Sequence, residues 1–303
     1  MCDTISNAKE VNKMECRLCP RLCAADRSIN KGRCGVGDEI LISRAARHMW
    51  EEPPISGTKG SGTVFFAGCN LGCVYCQNYE ISHKAKGKTV TEERLGEIFR
   101  ELEAEGVHNI NLVNPTHYAH KIIKVLKKEK PSVPVVYNSS GYERVSTLKT
   151  LEGLVDIYLP DLKYISSERS EKYSAAADYF DFASRAIIEM KHQCPENVYD
   201  GNGIMQKGLI VRHLILPQNT NQSVKILEWI RDNLGTDTVI SLMSQYIPHG
   251  EAEKYKELTR RITGREYEKV VSAAEDMGFK NIFTQDSASA SEVFIPDFDF
   301  SGV

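Results

Sequence analysis

The sequence lacks a long apolar run, a block of single-sign charge and a low-complexity tract, and it holds only two tryptophans in 303 residues. A membrane-spanning helix needs about 20 consecutive apolar residues, so none is expected. Lysine plus arginine total 38 against 41 for aspartate plus glutamate. That balance gives no basic field for nucleic acid, and no nucleic-acid or membrane partner is expected. The opening MCDTISNAKEVNKMEC has no apolar h-region, so a secretory leader is not expected. Cysteine is not scarce: there are nine, four between Cys16 and Cys34, three between Cys69 and Cys76, with Cys2 and Cys194 standing alone. They are too dilute for a small disulfide scaffold. Tight cysteine groups in a reducing compartment bind metal, and a cytoplasmic location is expected.

Up to about Trp50 the chain reads as loop-rich. EEPPISGTKGSG, residues 51–62, carries two prolines and three glycines and reads as a turn-rich connection. Strand and helix patterns then alternate. β-Branched and aromatic runs predict strands over 63–67, 110–114, 133–138, 155–159, 208–216 and 238–244, with a short last one in NIFTQ. Helical periodicity covers residues 90–106, HYAHKIIKVLKKE, YERVSTLKTLEG, a stretch around SRAIIEMKHQ, SVKILEWIRDN and REYEKVVSAAEDMG. Strands apolar on both faces, such as VPVVY and LIVRHLIL, belong in a parallel sheet covered by helices. Right-handed crossovers curl about six such units into a closed or partial α/β barrel. The expected division is a cysteine-rich extension, 1–62, and a (β/α)6 core with C-terminal elements, 63–303. Ligands of such folds sit at the carboxyl ends of the strands. The polar punctuation lies there, at 69–76, 114–118, 138–140, Asp161 with Lys163, and Gln245 with Tyr246.

The run FFAGCNLGCVYCQN spaces Cys69, Cys73 and Cys76 as C-x3-C-x2-C on the loop after the first predicted strand. Gly68 and Gly72 allow a tight turn around them. Three thiolates on one loop can share one metal centre. An iron–sulfur cluster takes four ligands, so three leave one iron open. Spacing alone also allows a zinc knuckle or three unrelated thiols.

With Tyr75 just before the third cysteine, the motif resembles the signature of radical S-adenosylmethionine (radical SAM) enzymes. FFAGCNLGCVYCQNYEIS, NINLVNPTHY, VVYNSSGYE, VDIYLPDLKY, LIVRHLILP and MSQYIP extend the resemblance over roughly residues 63–248. They are most similar to the pyruvate formate-lyase activating enzyme group, PflX-like branch. The resemblance implies a partial (β/α)6 TIM-like barrel of the radical SAM type with an N-terminal cysteine-rich extension. It implies a [4Fe-4S] cluster on Cys69, Cys73 and Cys76, with S-adenosylmethionine (AdoMet) chelated at the open iron. The implied activity is that of an oxidoreductase: reductive cleavage of AdoMet to a 5′-deoxyadenosyl radical that abstracts hydrogen. The implied partners are a protein or peptide substrate, such as a glycyl radical enzyme, and reduced flavodoxin or ferredoxin as electron donor.

Several roles transfer with the matching runs. Tyr75 falls on the aromatic near the adenine. Asn138 and Ser139 stand where activases place an Asp-Thr pair near the AdoMet carboxylate and a monovalent cation. Asp161 and Lys163 fall on an Asp-Leu-Lys motif, and Arg212 on the arginine that contacts AdoMet. The chemistry agrees, since a carboxylate needs cations and ribose hydroxyls need small polar partners. By residue type alone, Asp161, Lys163 and Arg212 fit structural ion pairs equally well.

Two departures stand out. The Gly-Gly-Glu-type stretch that holds the AdoMet amino group is replaced by Val-Asn-Pro-Thr-His-Tyr at 113–118. No carboxylate remains there, which leaves the Asn114 carbonyl and the Thr116 hydroxyl as acceptors. His117 reads either as a proton donor or substrate contact, or as the start of the next helix. The second departure is Cys16, Cys19, Cys23 and Cys34, spaced C-x2-C-P-R-x-C-x10-C. Four thiolates suit a tetrahedral zinc or a fully ligated iron–sulfur cluster, and a metal would supply folding energy to a segment with little core. The spacing differs from the ferredoxin-like extra clusters of activases. Cys2 and Cys194 read as plain residues.

Three functions follow as expectations. One is an activase that takes hydrogen from a glycine of a partner enzyme. A second is radical modification of a peptide, a protein side chain or a metabolite. A third, of another class, is a non-enzymatic iron–sulfur or zinc protein.

Overall fold

The computed structural model describes residues 15–285 and 296–303, so Cys2 lies outside the described residues. Its strands are β1 (Ile40–His48), β2 (Ser61–Phe66), β3 (Lys88–Val90), β4 (Ile110–Val113), β5 (Val135–Ser139), β6 (Ile157–Pro160), β7 (Val198–Tyr199), β8 (Met205–Leu214), β9 (Val239–Met243) and β10 (Ile282–Thr284). The helices are α1 (Pro53–Ser56), α2 (Tyr79–Ser82), α3 (Glu92–Ala104), α4 (Ala119–Lys128), α5 (Val145–Leu148), α6 (Ser167–Ser174), α7 (Tyr179–Gln193), α8 (Thr220–Leu234) and α9 (Gly264–Asp276).

Strands β2, β4, β5, β6, β8, β9 and β10 pair in that order, all parallel. Helices between them cover the outer face. Leu95, Ile98 and Phe99 of α3 and Ile122 and Val125 of α4 pack on Val64, Phe66 and Leu112, while α7, α8 and α9 pack on Tyr158, Val211 and Leu242. The sheet order ends at β10 on one side and β3 on the other, so the barrel is partial. Local signals fix the helix starts. The Thr91 side chain accepts from Arg94 N to cap α3, and Thr263 with Glu266 forms a capping box at α9.

The first fifty residues contain more regular structure than the sequence suggests. β1 runs antiparallel to β2 and carries β3 on its far side. Arg44 and Arg47 interrupt its apolar pattern, and pairing on both sides forms the strand where propensity alone does not. The 51–62 connection also differs from a plain turn, because α1 enters the barrel from below. Ile55 is fully buried among Val136, Ile157, Leu159, Met205, Ile210 and Val239. Asn109 Nδ2 donates to Ile55 O at 2.7 Å and holds it there. YERVSTLKTLEG yields only the single turn of α5 followed by a 3-10 turn at Lys149–Leu151.

Residues two apart on a strand share a face, and this layers the interior. Val136, Leu159, Ile210 and Val239 close over Ile55 in an apolar lower layer. One step further along the same strands come Asn138, Asp161, Arg212 and Ser241, and the first three form the floor of the site. Among the described residues no helix is long and apolar enough to cross a membrane.

Candidate active site

One cavity of about 310 Å³ opens at the carboxyl ends of the parallel strands, within the size range of small-molecule sites. Cys69, Cys73, Tyr75 and Cys76 reach it from the loop after β2, Asn114 from the loop after β4, and Asn138 and Ser139 from the end of β5. Asp161 and Lys163 reach it from beyond β6, and Arg212 from β8.

The cysteine loop is shaped by close backbone approach. Gly68 has φ +86°, and a Cβ there would stand 2.7 Å from Cys34 O. Cys69 N donates to that same carbonyl at 3.1 Å, joining the two cysteine loops. Arg21, from the C-P-R run, braces the other side. Its Nε donates to Asn70 O at 2.8 Å, and its Nη2 to Leu71 O at 2.7 Å and Ser174 O at 2.9 Å. Ala175 O accepts from its Nη1.

Each sulfur of the motif accepts a hydrogen bond. Leu71 N donates to Cys69 Sγ at 3.4 Å, Ser174 Oγ to Cys73 Sγ at 3.1 Å, and Ser82 Oγ to Cys76 Sγ at 3.3 Å. Burial raises the Cys73 thiol and pushes Cys76 up to about 12. Thiols so buried ionise only with strong positive charge beside them, which iron supplies. Soft donors that face one cavity and receive hydrogen bonds at sulfur fit an iron–sulfur cluster. Among the described residues, no three Cys, His, Asp or Glu side chains are gathered tightly enough for a single metal ion. A four-iron cluster spreads its ligands wider than one ion does, so the central trio still fits it. A zinc ion at the N-terminal group, by contrast, would require that loop to tighten. Of these four, Cys19 and Cys34 are buried, Cys16 is half-buried and Cys23 is exposed.

The floor is a buried charge network. Arg212 Nε donates to Asp161 Oδ1 at 2.9 Å, Nη1 to Glu51 Oε2 at 3.3 Å and Nη2 to Asn138 Oδ1 at 2.6 Å. Lys163 pairs with the other Asp161 oxygen. Burial opposes every charge here, but Asp161 with the two neighbouring glutamates holds the Arg212 pKa up, and Arg212 with Lys163 holds the Asp161 pKa down. Glu51 goes the other way: burial outweighs Arg212 and raises its carboxyl.

Glu51 is the residue that sequence reasoning misses. It sits in EEPP, which reads as a turn, and nothing local reveals that α1 carries it into the barrel. Asn111 Nδ2 donates to its Oε1 at 2.9 Å. His48 and Trp50 from the same segment also line the cavity.

The residues after β4 separate. Asn114 lines the cavity in a left-handed conformation, φ +59°, a region that asparagine tolerates. Thr116 is fully buried away from the cavity and donates to Glu143 Oε1 at 2.5 Å. Burial pushes the Glu143 carboxyl up to about 7. His117 is likewise buried, with Nε2 2.8 Å from Ala67 O, and burial pushes it down to about 3. It is therefore neutral and supports the loop rather than the cavity.

Comparison with known proteins now bears on this geometry. The radical SAM superfamily matches residues 63–243. An uncharacterized protein of Methanocaldococcus jannaschii is 32% identical over 91% of this chain and 78% of its own length. A putative glycyl-radical enzyme activating enzyme of Haemophilus influenzae is 26% identical over 57% of this chain and 67% of its own. Streptococcus suis SuiB, solved with precursor peptide SuiA, superposes with a TM-score of 0.50 at 15% identity. That likeness covers 72% of this chain and 46% of SuiB, so the two share a fold over less than half of the larger protein.

Proposed function

Because the chain belongs to the radical SAM superfamily, we propose that Cys69, Cys73 and Cys76 hold a [4Fe-4S] cluster and that AdoMet binds beside it in the same cavity. The observation that carries this is the convergence of the three cysteines with Asn138, Ser139, Asp161, Lys163 and Arg212 on one cavity. When bound, the cluster supplies the electron that splits AdoMet into methionine and a 5′-deoxyadenosyl radical, which abstracts hydrogen from the substrate. Arg212 spends three of its N–H groups on Asp161, Glu51 and Asn138. A guanidinium has five, so it retains donors for the AdoMet carboxylate, with Lys163 as a second cation. Ser139 and Asn138 offer small polar partners to the ribose. The Tyr75 ring forms an apolar wall for adenine, and Asn114 takes the amino-group side.

The finer reading is an activase of the pyruvate formate-lyase activating enzyme type, PflX-like branch, acting on a glycyl radical enzyme and reduced by flavodoxin or ferredoxin. The sequence resemblance and the name of the Haemophilus relative support it. One observation favours radical modification of a different peptide, side chain or metabolite. His48, Trp50 and Glu51 wall the cavity and precede residue 63, where the superfamily match begins. A second centre at Cys16, Cys19, Cys23 and Cys34 rests on donor chemistry alone.

The test is AdoMet cleavage by anaerobically reconstituted, dithionite-reduced protein beside its C69A/C73A/C76A variant. 5′-Deoxyadenosine from the unaltered protein alone is the expected result. None from a fully loaded, reducible cluster overturns the proposal and leaves a non-enzymatic metal protein. A glycyl radical signal in a partner enzyme would then separate the activase reading from the second.

A further inference from the structure

Three hydroxyls stand in line behind Cys73. Tyr75 Oη lies 2.6 Å from Tyr164 Oη, which lies 2.8 Å from Ser174 Oγ, which lies 3.1 Å from Cys73 Sγ. A ligating sulfur has no hydrogen to give, and this sets the direction of the whole row. Ser174 donates to the sulfur, so its oxygen accepts from Tyr164, whose oxygen accepts from Tyr75. The dipoles all point toward Cys73, and each polarises the next.

The surroundings keep the row in place and dry. Tyr75, Tyr164 and Ser174 are 4%, 3% and 1% exposed, so little water can take over if one hydroxyl is removed. The Tyr179 ring packs edge-on to Tyr164 at 5.3 Å. Ser174 ends α6, and its carbonyl is pinned by Arg21. Cys69 and Cys76 each have a longer contact to a donor close in sequence, Leu71 N at 3.4 Å and Ser82 Oγ at 3.3 Å, with no buried tyrosines behind it.

We propose that Tyr75, Tyr164 and Ser174 form a one-way hydrogen-bond relay onto Cys73 Sγ that stabilises the reduced cluster and so raises its reduction potential. This rests on the cluster assignment made above. Hydrogen bonds to ligand sulfurs shift the potential because the reduced cluster carries one more negative charge. The row also explains why a tyrosine, rather than a phenylalanine, precedes the third cysteine, since the ring walls the cavity while its hydroxyl heads the relay.

The test compares reconstituted wild type, Ser174→Ala, Tyr164→Phe and their double variant at one fixed redox poise, reading reduced against oxidised cluster by EPR and absorbance. Ser174→Ala is expected to lower that ratio roughly three- to tenfold, and Tyr164→Phe by less. The double variant should match Ser174→Ala, because Tyr164 acts only through Ser174. Ser174→Thr, which keeps the hydroxyl, should retain the wild-type ratio. An unchanged ratio in a fully loaded Ser174→Ala overturns the proposal, and additive losses overturn the relay. If Ser174→Ala fails to load, Tyr164→Phe decides the matter, because an unchanged ratio there removes the relay. Failure of the wild type itself to take up a four-iron cluster, read by iron content, would instead overturn the cluster assignment.

Discussion

Glu51 and Arg212 meet on the cavity floor, Oε2 to Nη1 at 3.3 Å, although 161 residues separate them. Through this contact the segment ahead of the barrel orients a residue proposed to bind AdoMet. Arg212→Ala leaves Asp161, Glu51 and Glu52 without their main counter-charge. It is expected to cost about 3–5 kcal/mol of stability, measured by denaturant unfolding, and to weaken AdoMet binding. Arg212→Lys should recover part of the stability but not the forked contacts. An Arg212→Ala protein as stable as wild type would mean that the carboxylates are held neutral.

Ile55→Ala tests the plug beneath that floor. The side chain is fully buried in the apolar lower layer, and its truncation should cost about 2–5 kcal/mol with no change in iron content. A loss below about 1 kcal/mol would show that the lower layer closes up without it.

Glu143 should make stability depend on pH. Its carboxyl titrates near 4.5 when unfolded and is pushed up to about 7 by burial in the fold. Between those values the folded protein binds more protons, so stability falls as pH rises through the window. The contribution is complete below the unfolded value and lost above the folded one. Glu143→Gln should flatten the profile, gaining on wild type by on the order of 1–3 kcal/mol from about pH 5 to 8. A difference that stays constant with pH would show that Glu143 is ionised throughout.

Arg21→Lys should loosen the cysteine loop, since one ammonium cannot replace a planar fork that reaches four carbonyls. The expected readout is lower iron per chain after reconstitution and faster bleaching by a chelator. Wild-type loading and bleaching rates would show that the loop holds its shape without the brace.

The strands were legible because both their faces are apolar, and the cysteine loop because its three thiols stand at a close, fixed spacing after the first parallel strand. The polar residues at strand ends were legible for a related reason, since Asn138, Asp161 and Arg212 interrupt apolar runs where a buried parallel strand otherwise tolerates no charge. What escaped depends on distant partners. β1 forms because β2 and β3 flank it, and Glu51 enters the barrel because Ile55 finds an apolar socket made by four later strands. Thr116 reads as a ligand contact by type, yet Glu143, 27 residues on, claims its hydroxyl. Residue type at a loop tells which bonds are available, and only packing decides which partner takes them.

The plug beneath the cavity and the three cysteines proposed to hold iron thus come from different stretches of the chain, one ahead of residue 63 and one after it. A chimera that kept residues 63–243 and exchanged what precedes them would keep the three cysteines and the Asn138–Asp161–Arg212 floor but lose Glu51, the Ile55 plug and the Arg21 brace. Recombination at this junction therefore changes the cavity wall and the bracing of the cysteine loop together.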